Sequence, residues 1–134
     1  MIITFAGHSF ILSHNEIKEK VKEQIVKNIV DCESVICYHG GYGNFDDICA
    51  IACKELKEEG FKIELVYVTP YISLSEQVKI KELQALGLCD TSIFPPISYE
   101  YPKTCTEILL RSYNNFFPLS SYGYIRCWHI KSVV

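Results

Sequence analysis

The sequence predicts an α/β domain, a parallel sheet with helices on its faces. Three observations predict it. Short apolar, β-branched runs at 2–6, 34–38 and 63–69 alternate with helix-periodic segments at 16–30 and 45–59. Strands joined through helices and short loops pair in parallel, because a parallel pair needs a crossover and the helix supplies it. At 134 residues, 49% hydrophobic and 22% charged, the chain suits a single domain over 1–134 built around one core.

The first strand, 2–6, is an apolar run bounded by Gly7, and Gly7-His8-Ser9 reads as a turn. Ser13 or Asn15 supplies an N-cap oxygen for the first helix, and Glu16 suits its first turn. Between 16 and 30 the apolar positions are 17, 21, 25, 26, 29 and 30, a 3.6-residue stripe. Lys18, Lys20, Lys22 and Lys27 lie off that stripe with Glu16, Glu19 and Glu23 interleaved, which describes a solvated face and not a basic patch. The second strand is 34–38. The second helix runs from about 45 to 59, with Ile48, Cys49, Ile51, Ala52 and Leu56 inward and Gly60 as the C′ glycine that closes it. The third strand, 63–69, is ended by Pro70. Further on, 76–86 reads as a helix with Gly87 past its end, 91–94 as a short strand, and Pro95-Pro96 as an extended loop. A helix is expected over 104–113 and a last strand over 121–128.

Composition narrows the function classes. A net charge of −3 and a pI near 5.8 give no general attraction to nucleic acid, so a nucleic-acid partner is not expected. No apolar run approaches the roughly 18 residues of a membrane span, and no membrane partner is expected. The N-terminus has no basic region ahead of its short apolar run, so it reads as a strand and not a signal peptide, and a cytoplasmic location follows. Seven scattered cysteines without a Cys-x-x-Cys read as buried, reduced thiols. The four histidines share no short ligand spacing with them, so neither a metal nor a cofactor is expected.

The chemistry concentrates in His39-Gly40-Gly41-Tyr42-Gly43-Asn44-Phe45-Asp46-Asp47. A strand, a glycine-rich turn and a helix N-terminus make an anion cradle, because glycine lets another molecule approach the backbone and free N–H groups favour phosphate. In a parallel sheet Gly7, His8 and Ser9 reach the same edge, where ligands of such sheets bind. His8 and Ser9 either hydrogen-bond a phosphate or ribose there, or merely close a turn. Asn44 and Asp46 are placed to cap the helix with a side-chain oxygen; Asp46 and Asp47 either do no more than complement the helix dipole, or one of the two carboxylates receives a ribose or acts as an acid or base. Tyr67, Thr69, Pro70 and Tyr71 end the third strand at this edge, where Tyr71 stacks on a base or the aromatics simply lid the core. The turn is not a P-loop, since no Gly-Lys-Ser/Thr follows the glycines, and it does not fit the dinucleotide pattern G-x-G-x-x-G.

Three ordered segments carry a resemblance: Phe5-Ala6-Gly7-His8-Ser9, His39-Gly40-Gly41-Tyr42-Gly43-Asn44-Phe45-Asp46, and Glu64-Leu65-Val66-Tyr67-Val68-Thr69-Pro70-Tyr71. Over residues 2 to about 97 the chain resembles small bacterial members of the SLOG superfamily (SMF/DprA–LOG). The resemblance implies a Rossmann-like three-layer fold with helices on both faces of the sheet. It also implies a nucleotide or nucleotide-derived ligand bound in a sensor-like role, and a homodimer. The ligand would be held by Gly7, His8, Ser9, Gly40, Gly41, Gly43, Asn44, Asp46, Thr69 and Tyr71. The superfamily's phosphoribohydrolases carry P-G-G-x-G-T-x-x-E; here His39 replaces the proline, Asn44 the threonine and Asp47 falls at the glutamate. Their catalytic arginine has no counterpart in the lysine-only first helix, so N-glycosidic hydrolysis by Asp47 is the alternative to binding, and a vestigial domain with an incomplete pocket is a further one. Residues from about 104 depart from the family pattern; Leu110-Arg111-Ser112-Tyr113-Asn114-Asn115 echoes only a distorted form of its Arg-Asn helix.

Overall fold

The structure, a computed structural model, describes residues 1–7, 10–29, 34–41, 43–69, 71, 73–93, 116–120 and 123–128, the last two stretches as backbone. Their order is β1 (Ile2–Gly7), α1 (His14–Ile29), β2 (Val35–His39), α2 (Asn44–Glu58), β3 (Ile63–Val68), α3 (Leu74–Ala85), β4 (Thr91–Ile93), β5 (Phe116–Ser120) and β6 (Gly123–Trp128). The chain is α/β with a Rossmann-like parallel sheet: β4-β3-β2-β1 are all parallel, as the alternating strands and helices predict. Beyond β1 the same sheet continues antiparallel into β6 and then β5. Pro118, which has no N–H to donate, sits in β5, where only an edge strand tolerates it.

Each helix is placed by its own sequence. Ser13 O accepts from Ile17 N at 3.1 Å, which makes Ser13 the N-cap of α1 and leaves Asn15 inside the first turn. The buried stripe of α1 is Ile17, Val21, Ile25 and Ile29, narrower than expected because Val26 faces outward. In α2 the buried set is Phe45, Ile48, Cys49, Ala50, Ala52, Cys53 and Leu56; Ile51 falls outside that arc and is exposed. Both α2 and α3 end in Schellman turns. Gly60 and Gly87 take φ of 105° and 73°, and Phe61 N→Leu56 O (3.1 Å) and Leu88 N→Leu83 O (2.9 Å) close the motif.

Register fixes which side chains share the helix-covered face. Val35, Cys37 and His39 align with Ile63, Leu65 and Tyr67, and Ile3 aligns with Cys37. On that face Ile3, Phe5, Val35, Cys37, Ile63 and Leu65 join the stripes of α1 and α2 in one core. Tyr67, on the same face, meets Glu76 and Lys79 of α3. The strand order explains this one-sidedness. Crossovers from β1 to β4 all step the same way, and right-handed steps in one direction put every helix on one face. The expected helix at 104–113, and any layer it makes on the opposite face, lie outside the described residues. Outside the core, Lys18 and Lys22 of α1 reach Glu55 and Glu59 of α2 at 2.6–3.2 Å, so the solvated seam between the helices is ion-paired.

Candidate functional site

The C-terminal ends of β1, β2 and β3 are neighbours, so Gly7, Gly40 and Thr69 share one rim of the sheet. His8 and Ser9 lie outside the described residues. The rim is tied together by Ile11 O, which accepts from Asn44 Nδ2 and from His14 Nε2, each at 2.7 Å. A carbonyl only accepts, so His14 carries its proton on Nε2; the 3.0 Å approach of the two nitrogens follows from their shared acceptor. Asn44 Oδ1 is buried and has no hydrogen-bond partner among the described residues.

The glycine turn has two strained positions. Gly41 is left-handed at φ 66°, and Gly43 adopts φ 123°, ψ −177°, a region only glycine occupies readily. Gly43 is the N-cap of α2, and its carbonyl accepts from Asp47 N at 3.4 Å. The expectation that Asn44 caps this helix is therefore corrected. The cap residue has no side chain, and Asn44, already helical, spends its amide on Ile11. The first N–H groups of α2 have no acceptor within the helix, as at any helix start. Asp46 and Asp47 occupy that first turn, where their charge complements the dipole, and Asp47 is exposed.

The space beside Gly41 belongs to the protein itself. A Cβ there would stand 2.7 Å from Tyr67 Cε2 and 3.3 Å from Lys79 Nζ. Tyr67 donates its hydroxyl proton to Glu76 Oε1 at 2.7 Å, while Lys79 Nζ lies 5.4 Å from the Tyr67 ring centre and 3.5 Å from Gly41 O. Unlike Lys18, Lys20, Lys22 and Lys57, Lys79 forms no ion pair with a carboxylate among the described residues. Next to this group His39 is buried, tilted against Tyr67 with ring centres 5.5 Å apart, and bonded through Nε2 to Leu88 O at 2.9 Å. Burial lowers its pKa to about 4, the Lys79 charge adds to the fall, and the Leu88 bond opposes it. His39 is neutral near pH 7, with the proton on Nε2.

Of two other expected residues, Thr69 is occupied by the fold, whereas Tyr71 keeps an exposed side chain. Thr69 is buried, its N–H donates to Ile93 O at 3.1 Å, and its Oγ1 accepts from Tyr71 N at 3.1 Å. Tyr71 is exposed on the rim, and Phe10 and Leu12 after β1 are more exposed still. Cys37 and Cys49 are buried thiols with raised pKa, Cys37 chiefly through its hydrogen bond with Cys53 and Cys49 through burial, so both stay protonated.

The sequence reading did not assign Lys79, Glu76 or His39 to the rim. A signal for the first two was present: Glu76, Lys79, Ile80 and Leu83 are spaced i, i+3, i+4, i+7 and form the half-buried stripe of α3. Two open hollows lie away from the rim. One of about 290 Å³ is lined by the starts of β2 and β3, including Val35, Lys62 and Glu64; another of about 620 Å³ runs along the α1–α2 seam. Among the described residues no helix is long and apolar enough to cross a membrane. No family model, no curated protein and no solved structure matches this chain.

Proposed function

We propose that this chain binds a nucleotide or nucleotide-derived ligand at the rim above β1, β2 and β3, as a sensor-like domain of SLOG type. Phosphate rests on the amides that open α2 after Gly43, with the Lys79 ammonium as its counter-charge. Tyr71 and Phe10 offer apolar surface for a base on either side of the turn. The observation that carries the reading is Lys79. It is an ammonium without a carboxylate partner among the described residues, held against Gly41 beside the positive end of a helix. The resemblance of residues 2 to about 97 supports the same ligand class.

The test is a thermal-shift and calorimetric screen of nucleoside mono-, di- and triphosphates and cyclic dinucleotides. A ligand at about 100 times its Kd adds about 2.7 kcal/mol of stability, a shift of several degrees in a domain of this size. Lys79→Met weakens that binding about tenfold or more, as expected for a charge-assisted contact. No shift with any nucleotide at millimolar concentration refutes the proposal. It would favour a second reading, supported by the Tyr67 ring beside Gly41, in which the glycine turn serves the fold alone.

A further inference from the structure

The helix α3 differs from its neighbours in how it is attached. α1 and α2 each bury a continuous apolar stripe, whereas α3 has no buried residue. Its large apolar side chains Leu74 and Val78 are 81% and 50% exposed, and its inward stripe, Glu76, Lys79, Ile80 and Leu83, is half polar and only half-buried. What fastens it to the sheet is a row of polar contacts along its length. Tyr67 Oη donates to Glu76 Oε1 at 2.7 Å near one end. Lys79 Nζ sits over the Tyr67 ring and 3.5 Å from Gly41 O in the middle. His39 Nε2 donates to Leu88 O at 2.9 Å just past the other end.

The N-terminal sequence of α3 sharpens the point. Ser73-x-x-Glu76 is a capping-box pattern, and Ser73 Oγ accepts from Glu76 N at 3.3 Å as such a box requires. The glutamate, however, sends Oε1 to the sheet. A residue suited to capping the helix instead ties it to Tyr67, the side chain that fills the space beside Gly41.

We propose that α3 is a polar-latched cover over the glycine turn, which opens as a local unit while β1–β3, α1 and α2 stay folded. The Tyr67–Glu76 hydrogen bond is the latch. Tyr67 belongs to β3 and stays beside Gly41 with its tie to Glu76 broken, whereas Lys79 rides on the cover, so opening withdraws the counter-charge from the turn. That last consequence rests on the ligand reading above; the opening itself does not. Once undocked, a helix of this length is marginal in water and frays, so its amides report the opening directly.

The experiment is native-state hydrogen exchange on the full chain without ligand, so its failure is separate from any failure to find a nucleotide. Amides of α3 exchange at least about 100-fold faster than those of α2. Tyr67→Phe, which keeps the ring and removes the donor, speeds α3 about a further tenfold and leaves α1 and α2 unchanged. Glu76→Gln keeps an acceptor at the same place and changes α3 less than Glu76→Ala does. If Tyr67→Phe does not fold, the two Glu76 variants decide the matter alone. Exchange of α3 at the rate of α2, acceleration of both helices together, or no response of α3 to Tyr67→Phe or Glu76→Ala overturns the proposal.

Discussion

Replacing Gly41 by alanine separates two reasons for a glycine at the turn, and the structure gives each a size. At φ 66° an alanine meets the left-handed penalty of about 1–2 kcal/mol. The new Cβ also lands 2.7 Å from Tyr67 Cε2, closer than carbon atoms approach, and the ring is held by Glu76 and flanked by His39. Overpacking of that kind adds about 1–3 kcal/mol, for a total of about 2–5 kcal/mol. Gly60 is the control. Its φ is 105°, yet nothing lies within 4 Å of the space a Cβ would take, so Gly60→Ala carries only the backbone strain. Urea unfolding of wild type, Gly41→Ala, Tyr67→Leu and the double variant closes a double-mutant cycle, with Gly60→Ala alongside as the control. The smaller side chain removes the clash, so the cycle returns a favourable coupling of about 1–3 kcal/mol between the two changes. Equal costs at Gly41 and Gly60 together with zero coupling would refute the packing account. The consequence for function is direct: a bulky residue at Gly41 damages the fold first, so loss of binding in such a variant says nothing about ligand contact.

His39 gives the stability a pH signature. Its folded pKa of about 4 lies below the ordinary 6.5, so the unfolded chain binds a proton that the folded one gives up. The associated stability is complete above about pH 6.5 and is lost as pH falls toward 4, amounting to about 2 kcal/mol between pH 7.5 and pH 5. Denaturant titrations of wild type and His39→Gln across that range should show the gap between them shrinking by this amount as pH falls; a constant gap refutes the assignment. Phe45→Ala removes a fully buried ring where α2 enters the core and should cost about 3–5 kcal/mol, whereas Val78→Ala on the outer side of α3 should change the unfolding free energy by less than about 0.5 kcal/mol. A large effect at Val78 would mean that the outer face of α3 is covered.

The elements from β1 to β4 were legible in the sequence because each is written locally, whereas β5 was not anticipated. The stripe Ile17, Val21, Ile25 and Ile29, the closing glycines 60 and 87, and the β-branched runs each announce themselves within a few residues. Even the shared rim of Gly7, Gly40 and Thr69 follows from strand alternation alone. The partners that join separate elements at the rim were mostly not legible, because those pairs are not local. Gly41 and Lys79, His39 and Leu88, and Asn44 and Ile11 are each separated by more than thirty residues. An asparagine after a glycine reads as a cap, and only the backbone shows that Gly43 already holds that place. A glycine chosen to admit a ligand and one chosen to admit a tyrosine look the same in one dimension.

The strand order bears on where any guest is enclosed. In a doubly wound sheet the crossovers diverge from a switch point, and the gap between helices on opposite faces forms the crevice. Here β1 to β4 step in one direction and the described helices share one face, so β1–β4 contain no such divergence. A ligand on this rim therefore finds its walls in what overhangs the turn: Asn44 and the 10–13 loop on one side, Tyr67 and α3 on the other. Of these, the Asn44 side is anchored through α2 to the buried core, while α3 buries nothing of its own. Space beside Gly41 is then a question of the Tyr67 ring, a β3 side chain tied to α3 through Glu76, so the Tyr67–Glu76 bond couples the stability of the cover to the freedom of the ring at the glycine turn.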